Sequence, residues 1–117
     1  MKPTDLMIKD WVMVKVLSQI PNTYVLHTWA ANDYSRNLQV KPIPLTTEIL
    51  EKNGWERNGI FMEKRIDENT HLSWTDICGS VLSQGNYYMC DCNYVHTLLH
   101  ALRLCGGDEL ANNFKVV

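Results

Sequence analysis

The sequence predicts an α+β fold in a single domain, with an antiparallel sheet that curls like a small barrel and two helices. Short runs of alternating apolar residues, separated by turn residues, indicate antiparallel strands. One segment has helix-capping and helix-ending residues at its two ends, and another has apolar residues at helical spacing, so two helices are expected. The chain has 117 residues, 45% of them hydrophobic, which fits one globular domain.

The N-terminal third is dominated by strand patterns. Valines alternate with other residues over 11–17, which predicts a first strand, and the Pro-Asn pair at 21–22 predicts a turn. Residues 24–29 form the second predicted strand, antiparallel to the first. The polar residues 30–37 predict a loop, and the chain becomes extended again over 38–40.

A short helix is predicted next. Thr46 is a suitable N-cap, because its hydroxyl can accept a hydrogen bond from a free N–H group of the first turn. Leu45 and Leu50 stand at the two positions of a hydrophobic staple, and Glu48 lies where the helix dipole favours a negative charge. Gly54 supplies the left-handed conformation that commonly ends a helix.

Turn residues divide the middle of the chain into strands. The Asn58-Gly59 pair is a strong hairpin signal, and with this pair at the centre of the turn Arg57 pairs with Ile60. The later turns and strands complete the predicted sheet. They are a turn at 67–70, a strand that begins at Leu72, a turn at 84–86 and a strand over 87–92.

The last helix is predicted over 94–104. Asn93 is a suitable N-cap, and the Gly-Gly pair at 106–107 ends the helix. Residues 108–113 predict a short further turn, and residues 114–117 predict a terminal strand. The helix has one apolar stripe that we expect to face the sheet: Val95, Leu98, Leu99 and Leu102.

Charge and composition narrow the possible partners and the compartment. Eleven basic and thirteen acidic residues give a net charge of −2, without a run of Lys or Arg, so duplex nucleic acid is not a favoured partner. The first residues do not form a secretory signal, and the first apolar run is too short to span a membrane. We therefore expect a cytoplasmic protein with reduced cysteines and no membrane partner.

Two cysteines and two histidines lie close together near the C-terminus. Cys90, Cys92, His96 and His100 are enough ligands for a tetrahedral zinc ion. Helical geometry opposes this, because the two histidines fall on the flank and the outside of the helix, and Arg103 beside them repels a dication. The cysteines are better interpreted as small apolar strand residues. We predict no metal and no cofactor, and keep a small zinc-binding regulatory or nucleic-acid-associated domain as the alternative.

The same helix carries candidate binding residues. Its histidines and arginine form a stripe that fits a phosphate or a partner's carboxylate, although a solvated helix face is the favoured interpretation. One tyrosine lies in the predicted polar loop. The adjacent tyrosines at 87 and 88 point to opposite faces of a strand, so we expect one of them to be exposed, either as a lone surface aromatic or as part of an interface. The candidate binding residues are Tyr34, Tyr88, His96, His100 and Arg103.

Two stretches carry a family resemblance. KPIPLTTEILEKNGW has a proline-rich lead, a PLTEE-like helix start and a glycine-aromatic stop, and GNYYMCDCNYVHTLLHAL followed by GGDEL has a YLHxLQNLY-like helix. In these features the chain resembles a family of small uncharacterised proteins from gut anaerobes and their phages or prophages. The resemblance implies a phage or prophage setting and a cytoplasmic fold, and no mechanism. The matching residues are Pro44, Leu45, Thr46, Glu48, Leu50, Gly54, Tyr94, Val95, His96, Leu98, Gly107, Asp108, Glu109 and Leu110.

The expected function is binding without catalysis. The sequence has no phosphate-binding glycine loop, calcium loop or nucleophile motif, and it is rich in large aromatic residues. We therefore expect a non-enzymatic interaction protein of phage or prophage type that counters a bacterial defence by binding a host or phage macromolecule or a small nucleotide-like ligand. The zinc-binding domain is the alternative, and an enzyme whose site is assembled from dispersed residues is the third hypothesis.

Overall fold

The computed structural model describes residues 1–15, 24–36, 38–77 and 79–117. The turn predicted at 21–22 and the end of the first predicted strand, residues 16–17, lie outside these ranges. The described chain has two antiparallel sheets and several helices, which confirms the α+β prediction. The barrel-like prediction is wrong, because within these ranges neither sheet closes on itself and the N-terminal strands form a separate sheet.

The N-terminal sheet consists of three strands: β1 (Trp11–Lys15), β2 (Tyr24–Thr28) and β3 (Val40–Lys41). β1 is central and pairs antiparallel with β2, as predicted, and with β3. Residues Ala31–Ser35, predicted as a loop, form a 3-10 helix. The Asp33 carboxylate accepts a hydrogen bond from the backbone N–H of Ala30 at 2.8 Å, which stabilises the start of this 3-10 helix. A further 3-10 helix spans Pro3–Asp5.

The first α-helix, α1 (Thr47–Lys52), follows the prediction closely. The Thr46 hydroxyl accepts a hydrogen bond from the backbone N–H three residues later, at 3.2 Å. Leu45 and Leu50 are both buried, as a hydrophobic staple requires. Gly54 has a φ of 82°, the left-handed conformation expected after the helix.

The larger sheet is an antiparallel meander of five strands: β4 (Glu56–Asn58), β5 (Phe61–Arg65), β6 (His71–Thr75), β7 (Val81–Gln84) and β8 (Tyr87–Asp91). The first hairpin turns one residue later than predicted, because Asn58 pairs with Phe61 and the turn residues are Gly59 and Ile60. Gly59 has a φ of 64°, which suits the first central position of a type II′ turn, so Asn58 stays in the strand. The other two predicted turns are confirmed.

Two more α-helices follow, α2 (Val95–Leu104) and α3 (Asp108–Asn112), so the described residues contain one α-helix more than predicted. The N-cap of α2 is Tyr94, one residue after the predicted Asn93, and it makes no side-chain cap hydrogen bond. The Asn93 carbonyl accepts the Leu45 N–H at 2.9 Å. The Val95 N–H, the first of α2, donates to the Ile43 carbonyl at 2.8 Å. These hydrogen bonds belong to a short antiparallel β-bridge between Pro44 and Tyr94. In the described ranges, every helix is too short or too polar to span a bilayer.

Buried apolar residues form two clusters. The larger lies between the five-stranded sheet and the helices and contains the whole predicted stripe of α2. The smaller lies on one face of the N-terminal sheet, around Trp29. β1 contributes to both, since Val12 and Val14 belong to the smaller cluster while Trp11 and Met13 pack against the larger.

The C-terminal residues 114–117 are not the strand that the sequence predicts. Phe114 and Val116 are nevertheless buried. The Trp11 indole N–H donates to the Phe114 carbonyl at 2.7 Å, and the Asn53 side chain bonds to the backbone of Lys115. Side chains thus provide hydrogen-bond partners for backbone groups of this extended segment, where a strand would use a neighbouring strand.

Candidate functional site

The histidine and arginine stripe predicted on α2 binds a carboxylate of the chain itself. His100 Nε2 lies 2.6 Å from Asp10 Oδ2, and Arg103 Nη1 donates to Asp10 Oδ1 at 2.6 Å. Asp10 is fully buried, and the side chains of His100 and Arg103 are only 26% and 16% exposed. The prediction of a solvated helix face is wrong at these two residues, because the segment before β1 covers them.

A tight turn before β1 points Asp10 towards α2. Asp10 Oδ2 accepts the backbone N–H of Met7 at 2.7 Å, and the Asp10 N–H donates to the Met7 carbonyl at 3.0 Å. Lys9 has a φ of 72°, a left-handed conformation that costs a residue with a side chain about 1–2 kcal/mol. The Lys9 N–H donates to the Trp29 carbonyl at 2.7 Å, which holds the turn against the next strand.

The electrostatics of Asp10 favour its ionised form. Burial alone raises the pKa of this carboxyl, but hydrogen bonds from His100, Arg103 and the Met7 backbone outweigh burial and hold the pKa below its ordinary value. Asp10 therefore links the N-terminal segment to α2 as a carboxylate. The sequence analysis did not predict this role of Asp10. The one feature that could have indicated it is the position of an acidic residue directly before a strand of alternating valines.

His96, the third residue of the stripe, lies beside this link without joining it. Its ring stacks on Tyr94, with centroids 5.9 Å apart and planes 12° apart, and it meets the His100 ring edge-on at 5.7 Å. His96 Nδ1 is buried and has no hydrogen-bond partner among the residues that the structure describes. Burial, and then the neighbouring His100, lower the pKa of His96, so the neutral imidazole is favoured.

The cysteines of the predicted cluster belong to the core. Cys92 is fully buried, and burial raises the pKa of its thiol to about 12. Burial also raises the pKa of the partly buried Cys90. Across 1–15, 24–36, 38–77 and 79–117, no three His, Cys, Asp or Glu side chains are grouped so that they could hold a metal ion. The four residues of the zinc alternative therefore do not form a metal site in this structure.

The two candidate tyrosines lie apart from the α2 stripe. The Tyr34 hydroxyl donates to the Leu6 carbonyl, and its ring packs edge-on against Trp29 at 5.6 Å, so part of this side chain is structural. Tyr88 lies on β8, is 63% exposed and donates to the aspartate three residues later at 2.9 Å. Tyr87 is exposed as well, so neither of the adjacent tyrosines packs in the core. Binding by these residues stays a prediction.

A second site, which the sequence did not predict, is a basic cleft between α1, β5, α3 and the C-terminal residues. The cleft has a volume of about 550 Å³. Four of the eleven Lys and Arg residues line it, and Glu109 is the one carboxylate among the described lining residues. None of these four cations forms an ion pair with any residue that the structure describes. They are Lys52, Lys64, Arg65 and Lys115.

The cations come from three segments, and hydrogen bonds fix the C-terminal one. Asn53, directly after α1, accepts the Lys115 N–H at 2.8 Å and donates to the Lys115 carbonyl at 2.7 Å. The same carboxamide donates to the Ile49 carbonyl at 2.8 Å, which fixes its orientation. Because Phe114 and Val116 are buried on either side, Lys115 lies on the opposite side of this extended segment and lines the cleft.

The central cations lie on β5 where β4 no longer covers it. The last pair between β4 and β5 is Glu56–Glu63, so Lys64 and Arg65 extend beyond it. A Cβ atom at Gly54 would lie 3.1 Å from Lys64 Nζ, so the missing side chain leaves room for this ammonium group. The buried floor of the cleft is apolar: Trp55, Leu102 and Phe114.

Unpaired cations around a cavity of this size favour an anionic small molecule. Pockets for small molecules commonly enclose about 300–1,000 Å³. Ammonium and guanidinium groups donate strong, charge-assisted hydrogen bonds to phosphate oxygens. Sequence reasoning missed the cleft because its cations stand at 52, 64, 65 and 115 and form no run along the chain.

The chain was also compared with known proteins. No family model, no curated protein and no solved structure matched it. The resemblance drawn from its two sequence stretches therefore stays a prediction.

Proposed function

We propose that this chain is a non-enzymatic binding protein that holds a small, phosphate-bearing, nucleotide-like ligand in the basic cleft. The proposal is carried by four cations that line one cavity in a chain of net charge −2, with no ion-pair partner in the described part of the chain. A phosphate group supplies the missing negative charge, and its oxygens accept several hydrogen bonds at once.

The shape of the cleft supports a small ligand over a nucleic-acid duplex. A duplex-binding protein places basic residues along a surface that follows many phosphates. Here the cations surround a cavity of about 550 Å³ with an apolar floor, a size suited to one small molecule. An acidic segment of a host or phage protein is the other occupant that the same charges would accept, and the binding experiment separates the two.

The phage or prophage setting is part of this proposal. A phage protein that binds a nucleotide can counter a bacterial defence by removing a nucleotide that the defence needs. Neighbouring genes test this setting directly. Phage structural or anti-defence genes on either side would support it, and a conserved housekeeping operon would contradict it.

Calorimetric titration tests the cleft. ATP, GTP and inorganic triphosphate are expected to bind, adenosine is not, and rising salt is expected to weaken binding. Lys64→Gln and Lys115→Gln should each weaken triphosphate binding about tenfold, the loss of roughly 1.4 kcal/mol expected for one charge-assisted hydrogen bond. Recovered nucleotides are expected to be chemically unchanged.

Lys2→Gln is the matched control, since it removes the same charge from the N-terminal segment, outside the residues that line the cleft. This variant should bind like the unmodified protein. Failure of all phosphate probes to bind at millimolar concentration, or an equal loss in the Lys2 variant, would refute the proposal. Capture of an acidic peptide in place of nucleotides would assign the cleft to a protein partner.

A further inference from the structure

A second cavity adjoins the basic cleft and shares two of its residues. This polar cavity has a volume of about 460 Å³, and Lys64 and Arg65 line it as well as the cleft. Gly54 is the one residue without a side chain among the described residues around it. Those with polar or charged side chains, besides the two shared cations, are Glu56, Arg57, Asn58, Glu63 and His71.

The two cavities meet at Lys64 and Arg65, whose side chains line both of them. β4 stops pairing with β5 at Glu63, so the backbone of β4 does not extend over Lys64 and Arg65. Gly54 lies beside this junction, where a Cβ atom would lie 3.1 Å from Lys64 Nζ. One elongated ligand can therefore pass over Lys64 and Arg65 from the cleft into the polar cavity.

The chemistry of the two cavities differs in a way that suits a ligand with two unlike ends. Glu63 in the polar cavity is already bonded to His71 at 2.9 Å and to Asn58 at 3.0 Å. The neighbouring Glu56 carboxylate is exposed and has no hydrogen bond or ion pair with another described residue. Arg57 adds a planar guanidinium that can stack on an aromatic ring.

We infer that both cavities bind one nucleotide, with its phosphates in the basic cleft and its nucleoside end in the polar cavity. The inference rests on the proposed function of the cleft. Glu56 accepts hydrogen bonds from hydroxyl or amine groups of the nucleoside, and Arg57 stacks on the base. Lys64 and Arg65 lie at the junction, where the first phosphate joins the ribose.

Titrations that compare a nucleotide with its phosphate part alone test the inference. In the unmodified protein, ATP or GTP should bind at least tenfold more tightly than inorganic triphosphate. Glu56→Gln should weaken nucleotide binding about fivefold while leaving triphosphate binding unchanged or slightly tighter, since it removes a negative charge. Lys115→Gln should weaken the binding of both ligands. Arg57→Gln is the second variant, and it should also reduce the advantage of the nucleotide over triphosphate.

The outcomes separate the two proposals. If triphosphate binds as tightly as ATP and GTP, or if neither variant changes that ratio, the two-cavity inference is overturned while the phosphate site stands. If neither triphosphate nor the nucleotides bind, the proposed function itself fails. Thermal unfolding of each variant shows that a lost affinity does not come from a lost fold.

Discussion

Two buried aspartates of this protein, Asp10 and Asp33, each bind one histidine and one arginine. The partners of Asp10 stand 90 and 93 residues further along the chain, at 2.6 Å in both cases. The partners of Asp33 stand within six residues of it, at 2.7 Å and 3.1 Å. The same three residue types thus form one contact between distant segments and one contact between neighbouring segments of the chain.

The two clusters also differ in their exposure to water. Arg103, which binds Asp10, is 16% exposed, whereas Arg36, which binds Asp33, is 59% exposed. Water solvates and screens the exposed pair, so a salt bridge of this kind contributes little, typically about 0–1 kcal/mol. We conclude that the Asp10 cluster holds the N-terminal segment against α2. The Asp33 cluster mainly stabilises the 3-10 helix that follows β2.

Removing Asp10 is expected to have the largest effect. In Asp10→Ala, Arg103 and His100 lose the carboxylate that compensates their burial, and the turn at Met7 loses its hydrogen bond. Breaking a buried ion pair by removing one partner commonly costs about 3–5 kcal/mol of unfolding free energy. Urea denaturation at pH 7 measures this loss. A loss below about 1 kcal/mol would show that the link between the N-terminal segment and α2 does not contribute to stability.

Removing Asp33 should cost less. Asp33→Ala loses the cap on Ala30 and two side-chain contacts, but water can solvate Arg36 and, in part, His27 in the variant. We expect a loss of about 1–2 kcal/mol, measured in the same urea titration. A cost equal to that of Asp10→Ala would contradict the comparison, since partner exposure would then not matter.

The difference between the clusters also explains what the sequence predicted well. Local signals predicted the position of α1. Its N-cap, Thr46, and the glycine that ends it, Gly54, both lie within a few residues of the helix. The apolar stripe of α2 is local in the same sense. Contacts that join distant segments were missed, because spacing along one segment does not show which other segment covers it.

Three failures share that cause. His100 and Arg103 were recognised as an anion-binding stripe, but their anion, Asp10, is 90 residues away and carries no pairing signal. The barrel was predicted because each hairpin is visible locally, whereas the division into two sheets depends on pairing between hairpins. The basic cleft was missed because its cations are scattered along the chain, and Lys115 is held there by hydrogen bonds to Asn53, 62 residues away.

Acid titration should act on both aspartates in the same direction, with a smaller effect than removing the side chain, because a protonated carboxyl still fills its space. For both Asp10 and Asp33, burial raises the pKa, but hydrogen bonds, first from the histidine, lower it below the ordinary value of 3.8. The unfolded chain then takes up the proton first. Each group therefore contributes stability that is complete above pH 3.8 and is lost as the pH falls through the lower folded pKa.

The variants Asp10→Asn and Asp33→Asn test this sign. Each should flatten the fall of unfolding free energy with acidification below pH 3.8. Urea titrations between about pH 2 and 5 provide the curves. Curves that stay parallel to that of the unmodified protein would mean that neither carboxyl changes its proton affinity on folding.

The smallest expected effect concerns a ring nitrogen next to the Asp10 cluster. His96 Nδ1 is buried without a partner among the described residues, whereas His27 in the other cluster is bonded to Asp33. His96→Phe keeps an aromatic ring against Tyr94 and removes the unsatisfied nitrogen, so unfolding free energy at pH 7 should rise by about 1 kcal/mol. The matched variant His27→Phe breaks a hydrogen bond and should lower it.

The pH dependence of the same pair completes the comparison. Burial lowers the folded pKa of His96 below its ordinary 6.5, so the unfolded chain binds the proton first as the pH falls. Stability therefore decreases from pH 6.5 down through the lowered folded pKa. His96→Phe should remove this decrease. If His96→Phe instead lowers stability at pH 7, the nitrogen has a partner such as an ordered water, and burial alone does not set its proton affinity.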